Sequence, residues 1–407
     1  MTKRKICVVT TSRADYGLLF QLLKEIEAEN ELELQLVVSG MHLSPEFGST
    51  CKVIEQDGFQ IARKIEMLLS ADTASAMSKS IGLGLISFTD ALMSLQPDIL
   101  VLLGDRFELF APAVAAVMQR IPITHLHGGE SSQGVVDECV RHSLTKMASL
   151  HFVSADAHRQ RVVQMGENPE FVFNFGAPGL DAIHTTEPMS KDALQDTLGI
   201  DINKPTAMIT YHPVTLEKRS GGEQIDHLLA ALEEHQVNAV FTKANADAMG
   251  RTINDKLKAF CLGKPQRYML VDNLGHEKYL SCLKHLDLMI GNSSSGLIEA
   301  PSFGMPVVNI GDRQRGRLRA ENVIDCKNEK QDISDAIRKA LSSPFRSRAK
   351  SCQNPYDKFG DGKSSVRIKN ALKTVALSTE LLQKTFYDID FPLDENNEKP
   401  LWLEQKS

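Results

Sequence analysis

The chain is short of what would bind it to nucleic acid, to a membrane or to an oxidising compartment. Its 46 lysines and arginines are outnumbered by 52 aspartates and glutamates, for a formal net charge of −6 over 407 residues. No basic field exists to hold a polyanion or an anionic bilayer, so any anionic ligand must be gripped by a local cluster. No apolar run reaches the roughly 20 residues that a membrane helix needs. The seven cysteines, at positions 7, 51, 139, 261, 282, 326 and 352, are odd in number and contain no CxxC pair. That excludes a disulfide framework or a cysteine zinc site and points to a reducing compartment. The basic start, Met1 to Lys5, precedes an apolar run too short for a secretory signal. Two nucleotide motifs fail as well. The loop after the first apolar run is not G-x-G-x-x-G. Gly360-Asp361-Gly362-Lys363-Ser364 imitates a P-loop, but Asp357 stands where that motif needs a glycine. No solenoid-type repeat is present. These absences leave a cytoplasmic, enzyme-sized protein, long enough for two domains of ordinary size.

What is there is an alternation of strands and helices. Ile6 to Val9 is a β-branched run, and Leu18, Leu19, Leu22, Leu23 and Ile26 then recur at helical spacing. Further strands are predicted at Leu32 to Val38, Pro97 to Leu103, Ile121 to Leu126, Leu150 to Val153 and Phe171 to Phe175. The run at 97–103 is nearly all apolar, as a parallel strand buried on both faces should be. A helix is predicted from Val136 to Ala148, with Asp137 in its first turn. Gly176-Ala177-Pro178-Gly179 breaks the pattern and marks a domain boundary. The second half repeats the scheme, with strands at Thr206 to Thr210, Val237 to Phe241, Tyr268 to Val271, Leu286 to Ile290 and Val307 to Ile310. The expected architecture is α/β of GT-B type: two Rossmann-like, doubly wound domains facing a central cleft. The first covers 1–180 and the second 181–360. A helical run from Ser364 to Lys384, within 361–387, is expected to cross back to the first domain, and 388–407 is expected to be a loose tail.

The most informative stretch is Gly291-Asn292-Ser293-Ser294-Ser295-Gly296-Leu297-Ile298-Glu299. It follows a strand and leads into the predicted first turn of a helix at Leu297. Unpaired backbone N–H groups at a helix start attract anions, and three serine hydroxyls add donors. Glu299, just behind, could hold the two hydroxyls of a ribose. The stretch therefore suits a nucleoside diphosphate, although a Ser-rich turn with an ordinary N-cap has the same appearance. Other loops at predicted strand ends carry Arg13, Asp105, Arg106, Glu130, His212, Asn245, His276 and Arg313. Arg13 reads equally as a ligand of such a site or as a solvated loop arginine.

Ser12-Arg13-Ala14-Asp15-Tyr16-Gly17, Gly104-Asp105-Arg106, His125 to Glu130, Arg141 to Lys146, Gly291 to Glu299 and Gly311-Asp312-Arg313-Gln314 together resemble the UDP-N-acetylglucosamine 2-epimerases. The likeness spans roughly residues 4 to 385. It is nearest to the hydrolysing branch, which makes N-acetylmannosamine for bacterial sialic acid synthesis. The resemblance implies a homodimer or homotetramer that takes a UDP-sugar, releases UDP through a glycal intermediate and needs no cofactor. It implies UDP contacts from Arg13, Arg106, His212, Asn245, Ser293, Ser294, Ser295, Gly296, Glu299 and Arg313. The uracil would lie at the Gly275-His276 loop. Non-hydrolysing relatives carry glutamate where this chain has His127, which shifts acid/base weight onto Glu130.

Inverting C2 of a sugar requires a proton to leave one face and return on the other, coupled to departure of UDP. Carboxylates at first-domain strand ends and donors in the second domain supply the two halves. Asp105, by family position and because it closes a buried strand, leads for C2 deprotonation. Glu130 and Asp137 are candidates for the return proton or for activating water. Asp137 could instead serve the helix dipole and pair with Arg141 at i+4. His212 would touch the leaving group. His125, His127 and His142 lack any zinc-site spacing, and the arginines suffice for the diphosphate, so no metal is expected. Three other functions fit parts of the pattern. They are a GT-B glycosyltransferase, a catalytically dead nucleotide-sugar sensor, and a hydrolysing epimerase of the 2,4-diacetamido-trideoxy sugar of legionaminic acid.

Overall fold

The computed structural model describes residues 3–71, 73–132, 136–212, 221–243, 250–271 and 274–390. Its first sheet holds seven strands: β1 (Arg4–Thr10), β2 (Leu32–Ser39), β3 (Ile61–Ile65), β4 (Ile99–Leu103), β5 (Ile123–Leu126), β6 (Leu150–Val153) and β7 (Val172–Asn174). Their order is β3-β2-β1-β4-β5-β6-β7, and every pairing is parallel. The second sheet holds β8 (Thr206–Thr210), β9 (Asn238–Thr242), β10 (Tyr268–Val271), β11 (Leu288–Gly291), β12 (Val307–Ile310) and β13 (Val323–Cys326). It runs β10-β9-β8-β11-β12-β13, again parallel throughout. The fold is thus the expected pair of parallel, doubly wound α/β sheets.

Alternate residues of each central strand feed opposite cores. Ile6 and Val8 of β1 join Ile99, Val101 and Leu103 of β4 on one face, while Cys7, Val9, Leu100 and Leu102 pack on the other. A sheet covered by helices on both faces has no solvent side, which is why these strands read as continuous apolar runs. The edge strands β3 and β13 lacked that signature and were not anticipated. β3 exposes Arg63 and Lys64, and β13 exposes Asp325. Charges on edge strands keep an open sheet from pairing with a second chain.

Strand order reverses between β1 and β4 in the first sheet and between β8 and β11 in the second. Helices leave opposite faces at such a switch point, so a crevice opens at the carboxyl ends of the two strands. Those ends carry Thr11 to Arg13, Gly104 to Arg106, Tyr211-His212 and Asn292 to Ser295. Both switch points therefore hold residues anticipated as functional.

The C-terminal segment departs from expectation. The helical run to Lys384 stops at Ser364–Thr374, and only a single turn, Thr379–Leu382, follows. Between them Val375 turns extended, with its N–H on the Ala371 carbonyl and ψ of 130°. The chain then lies across the first half. Lys384 Nζ reaches the carbonyls of Lys146 and Ala148, both at 2.6 Å, and the Tyr387 N–H meets the Gly166 carbonyl at 2.9 Å. The helix Ser364–Thr374 packs Ile368 and Leu372 into the core around β1 and β2. Both of its ends are held by distant residues. The Ser364 and Ser365 N–H groups donate to the buried Asp181 carboxylate at 2.9 and 2.6 Å. Arg4 Nη1 donates to the Leu372 and Val375 carbonyls at 2.7 and 2.9 Å.

Asp181→Ala leaves two buried N–H groups of that helix start without an acceptor. Loss of charge-assisted bonds predicts destabilisation by about 1.5–3 kcal/mol. A urea titration should show a lower midpoint at unchanged slope. An unaltered midpoint would mean that the cap is not holding the helix.

Candidate functional site

At the end of β1, Ser12 caps the helix Arg13–Ala28 in a reciprocal capping box with Asp15. Asp15 is buried and accepts from Thr10 Oγ1 at 2.5 Å, Thr11 Oγ1 at 2.7 Å and the Ser12 N–H at 3.0 Å. Burial acts to raise its carboxyl, but bonds from His42 and Thr10 outweigh it, and the group is held below its usual range. The loop is therefore rigid, while Arg13 itself is exposed on its outer side.

At the next strand end Asp105 forms an ion pair with Arg141, and Arg106 pairs with Glu108 at 2.6 Å. Arg141 comes from the helix Val136–Met147; its side chain is only 1% exposed, and it also reaches Ser132 Oγ at 2.8 Å and Glu138 at 3.2 Å. With its guanidinium committed there, Arg141 makes no ion pair with Asp137, so the structural i+4 role suggested for Asp137 fails. No hydrogen bond or ion pair engages the Asp137 carboxylate among the described residues. Burial first, and the charge of Asp105 second, push it up to about 6, against Arg106, Arg141 and Arg313. Two neighbouring carboxylates with different surroundings are a recurrent acid/base arrangement.

Past β5 lies a denser network. His125 is fully buried and spans the Gly104 carbonyl (2.8 Å) and Thr145 Oγ1 (3.0 Å). Burial brings it down to about 3, so it is a neutral strut. His127 does not lie on the strand. It has left-handed backbone, φ +62°, and Nδ1 is 2.6 Å from Glu130 Oε1. Gly129 follows at φ +75°, where a side chain would strike the His158 carbonyl. Glu130 is 3% exposed and fully engaged. Besides His127 it accepts from Ser154 Oγ at 2.9 Å and, from the second half of the chain, from Arg317 Nη1 at 3.1 Å. Burial acts to raise Glu130, but His127 and Arg317 prevail and hold it well below the carboxylate range.

In the second half Asn292 is the hub. Its side chain accepts the His212 N–H at 2.7 Å and donates to the His212 carbonyl at 2.8 Å. Its own carbonyl accepts from Arg313 Nη1 at 3.0 Å and Gln314 Nε2 at 2.8 Å. One buried asparagine, through its side-chain amide and its main-chain carbonyl, thus fixes the loops after β8, β11 and β12. His212 is buried and drawn down to about 3, by burial and then by Arg313, so its ring is neutral. Gly291 has φ +138°, and a Cβ there would collide with the Thr210 carbonyl, which lets the serine turn press against β8. Ser293, Ser294 and Ser295 are partly exposed, with Gly296 buried behind them.

The helix expected from Leu297 is only the single turn Ser295–Ile298. Pro301 ends it: proline disfavours α conformation at the preceding residue and has no N–H to donate, and a 3₁₀ turn, Ala300–Phe303, follows. A one-turn helix has little dipole, so what this turn offers an anion is hydroxyls, N–H groups and Arg313 instead. Glu299 Oε2 accepts from Tyr279 OH at 2.8 Å, and Ser295 Oγ bonds the same hydroxyl. Burial raises the Glu299 carboxyl, with Ser295 and Tyr279 opposing. His276 is exposed at the start of the helix Gly275–His285. Asn245 and Pro213 lie outside the described residues.

The structure therefore draws Asp105, Asp137, Glu130, Arg106 and Arg313 into one electrostatic neighbourhood, while Arg13 and His276 are exposed and make no contact with it among the described residues. Arg317 was not anticipated. It feels Glu130, Asp105 and Asp137 together. Its signal was the density of cations in one loop, Arg313, Arg315, Arg317 and Arg319. Tyr279 and Ser154 carried no sequence signal, because each acts through a contact distant in the chain.

Asp137 should titrate near pH 6 in a carbon-13 carboxyl NMR experiment. Asp105→Asn removes the adjacent like charge, so the midpoint should move down. An upward or absent movement would show that Asp105 does not set it.

A family model described as UDP-N-acetylglucosamine 2-epimerase matches residues 24–373. A Campylobacter jejuni protein named GDP/UDP-N,N'-diacetylbacillosamine 2-epimerase (hydrolyzing) is 42% identical over 390 residues, 96% of this chain and 100% of that protein. The Escherichia coli polysialic acid biosynthesis protein P7 is 38% identical over 388 residues, 95% of this chain and 98% of that one. A solved Neisseria meningitidis UDP-GlcNAc 2-epimerase bound to UDP-GlcNAc has a TM-score of 0.77 at 18% identity, covering 90% of this chain and 99% of that one, which is a likeness of fold. No helix among the described residues is long and apolar enough to cross a membrane. With a family match over residues 24–373 and near-full-length identity to a hydrolysing relative, the chain belongs to the UDP-N-acetylglucosamine 2-epimerase family, in its hydrolysing branch.

Proposed function

We propose that this hydrolysing UDP-sugar 2-epimerase acts by elimination to a 2-acetamidoglucal followed by hydration, releasing UDP and the free sugar inverted at C2. The observation that carries this reading is the Asp105–Asp137 pair, one carboxylate locked to Arg141 and the other unengaged and raised to about 6. A general base works best with a pKa near the working pH. Asp137 takes the C2 proton in this reading. Asp105 keeps it basic and accepts the proton of the water that adds at C1. UDP departs toward His212, Ser293, Ser294, Ser295 and Arg313, with Glu299 at the ribose. Fixed donors stabilise the charge that develops on the leaving diphosphate. The catalytic unit is residues 1–180 and the UDP unit 181–360, with the segment from 361 returning to the first.

For the substrate we propose UDP-N,N'-diacetylbacillosamine, the 2,4-diacetamido-trideoxy sugar. Support comes from the Campylobacter jejuni relative of that name, aligned over its whole length at 42% identity. UDP-GlcNAc is the second reading, favoured by the polysialic acid biosynthesis relative at 38%.

The test is parallel turnover of UDP-N,N'-diacetylbacillosamine, its GDP-linked counterpart and UDP-GlcNAc in D₂O, followed by proton NMR. The diacetamido UDP-sugar should be preferred in kcat/KM by at least about tenfold, which is roughly 1.4 kcal/mol. Its product should carry deuterium at C2. Preference for UDP-GlcNAc would select the second reading, and product without C2 deuterium would defeat elimination. Asp137→Asn should lower kcat by about 10²–10⁴; a near-normal rate would return the base role to Asp105.

A further inference from the structure

We infer that His127 is a catalytic acid, its Nε2–H returning the proton to C2 of the glycal, and that Glu130 is a positioning residue acting through His127 rather than on the sugar. His127 has this role only within the elimination–hydration reading above. Four observations converge on it. Glu130 is buried at 3% exposed, and both its oxygens already accept hydrogen bonds, Oε1 from His127 and Ser154 and Oε2 from Arg317. A carboxylate so held stays ionised and has no proton to give. Secondly, an ionised carboxylate 2.6 Å from Nδ1 requires Nδ1 to be the donor, which leaves Nε2 as the atom that gains and loses a proton. Thirdly, Nε2 is buried and has no hydrogen-bond partner among the described residues. Finally, the backbone is held at φ +62° to place this ring. Left-handed backbone on a residue with a bulky side chain is costly and concentrates at functional sites.

Position and competition agree. β4 and β5 are neighbours in register, Leu103 beside Leu126, so His127 leaves the sheet next to the loop that carries Asp105. The other charged or titratable groups in its field are Arg317, His125 and His158. Burial first of all brings His125 down to about 3 and His158 down to about 4, so neither ring competes for a proton near neutral pH.

The step balances. The C1–C2 π pair of the glycal takes the proton from Nε2, forming the new C2–H bond. C1 becomes an oxocarbenium centre, and a water oxygen bonds to it and loses its proton to Asp105. The imidazole ends neutral, with Nδ1–H still on Glu130, and is reprotonated from solvent.

The test uses the full-length protein. His127→Asn is the main variant because asparagine tolerates left-handed backbone. Given UDP-sugar, it should release UDP and accumulate glycal as the major product, seen by the vinyl C1 proton in NMR. Hydration of synthetic glycal with UDP present should slow by about 10²–10⁴. Glu130→Gln should shift the partition toward glycal in the same direction, a readout that a merely structural role would not move. Nitrogen-15 histidine spectra of the wild type should show His127 protonated at Nδ1, which keeps the idea testable if a variant misfolds. Wild-type hydration by His127→Asn, glycal accumulation in Glu130→Gln alone, or a resting Nε2–H tautomer would each overturn the role of His127. A wild type that releases UDP without C2 exchange would instead overturn the functional reading.

Discussion

The site depends on a cation that must be neutralised where water cannot do it. Arg141 keeps a guanidinium almost wholly out of solvent, and a buried charge is tolerated only when paired and hydrogen-bonded. Its requirements are met by Asp105 from the end of β4, Glu138 one turn back on its own helix, and Ser132 from the preceding loop. Satisfying Arg141 thus fixes three pieces of chain at once. It also leaves Asp137, on the same helix, without a partner of its own, so that burial first and the charge of Asp105 second raise its carboxyl.

The second half solves a different problem by related means. Its loops present their donors without a long helix behind them. A buried asparagine does the organising, since an amide can donate and accept at once. The two halves meet through Arg317, whose guanidinium lies on Glu130. That pair forms only when both halves are brought together, so the network around His127 is completed by a residue nearly two hundred positions away.

The two-sheet fold was legible because strands buried on both faces are nearly unbroken apolar runs. β6, β8, β10 and β12 were read to the residue. The edges were not legible, since a half-exposed strand such as Ile61–Ile65 carries charge and loses its pattern. Helix length was misread in two places. Pro301 cuts the turn after Ser295, and Val375 ends the last long helix where helical periodicity alone suggested continuation. Among the candidate residues, those at strand ends could be found because topology places every such end on one edge. Tyr279 and Ser154 could not, because their importance lies in partners that only the fold supplies, and Arg317 showed only as one of four arginines in a loop. Glu130 was found, but as a free carboxylate. Its three donors become visible only in space.

The helix Ser364–Thr374 completes the core that β1 and β2 begin. Arg4, the first residue of β1, closes its carboxyl end. On a ribosome the first sheet is therefore synthesised long before the element that covers it. Until some three hundred and sixty further residues have emerged, the apolar side chains awaiting Ile368 and Leu372 have only solvent or a chaperone to meet them. The order of translation runs against the order of burial, and synthesis of the helix Ser364–Thr374, rather than completion of the first half, sets the earliest moment at which that surface is sealed.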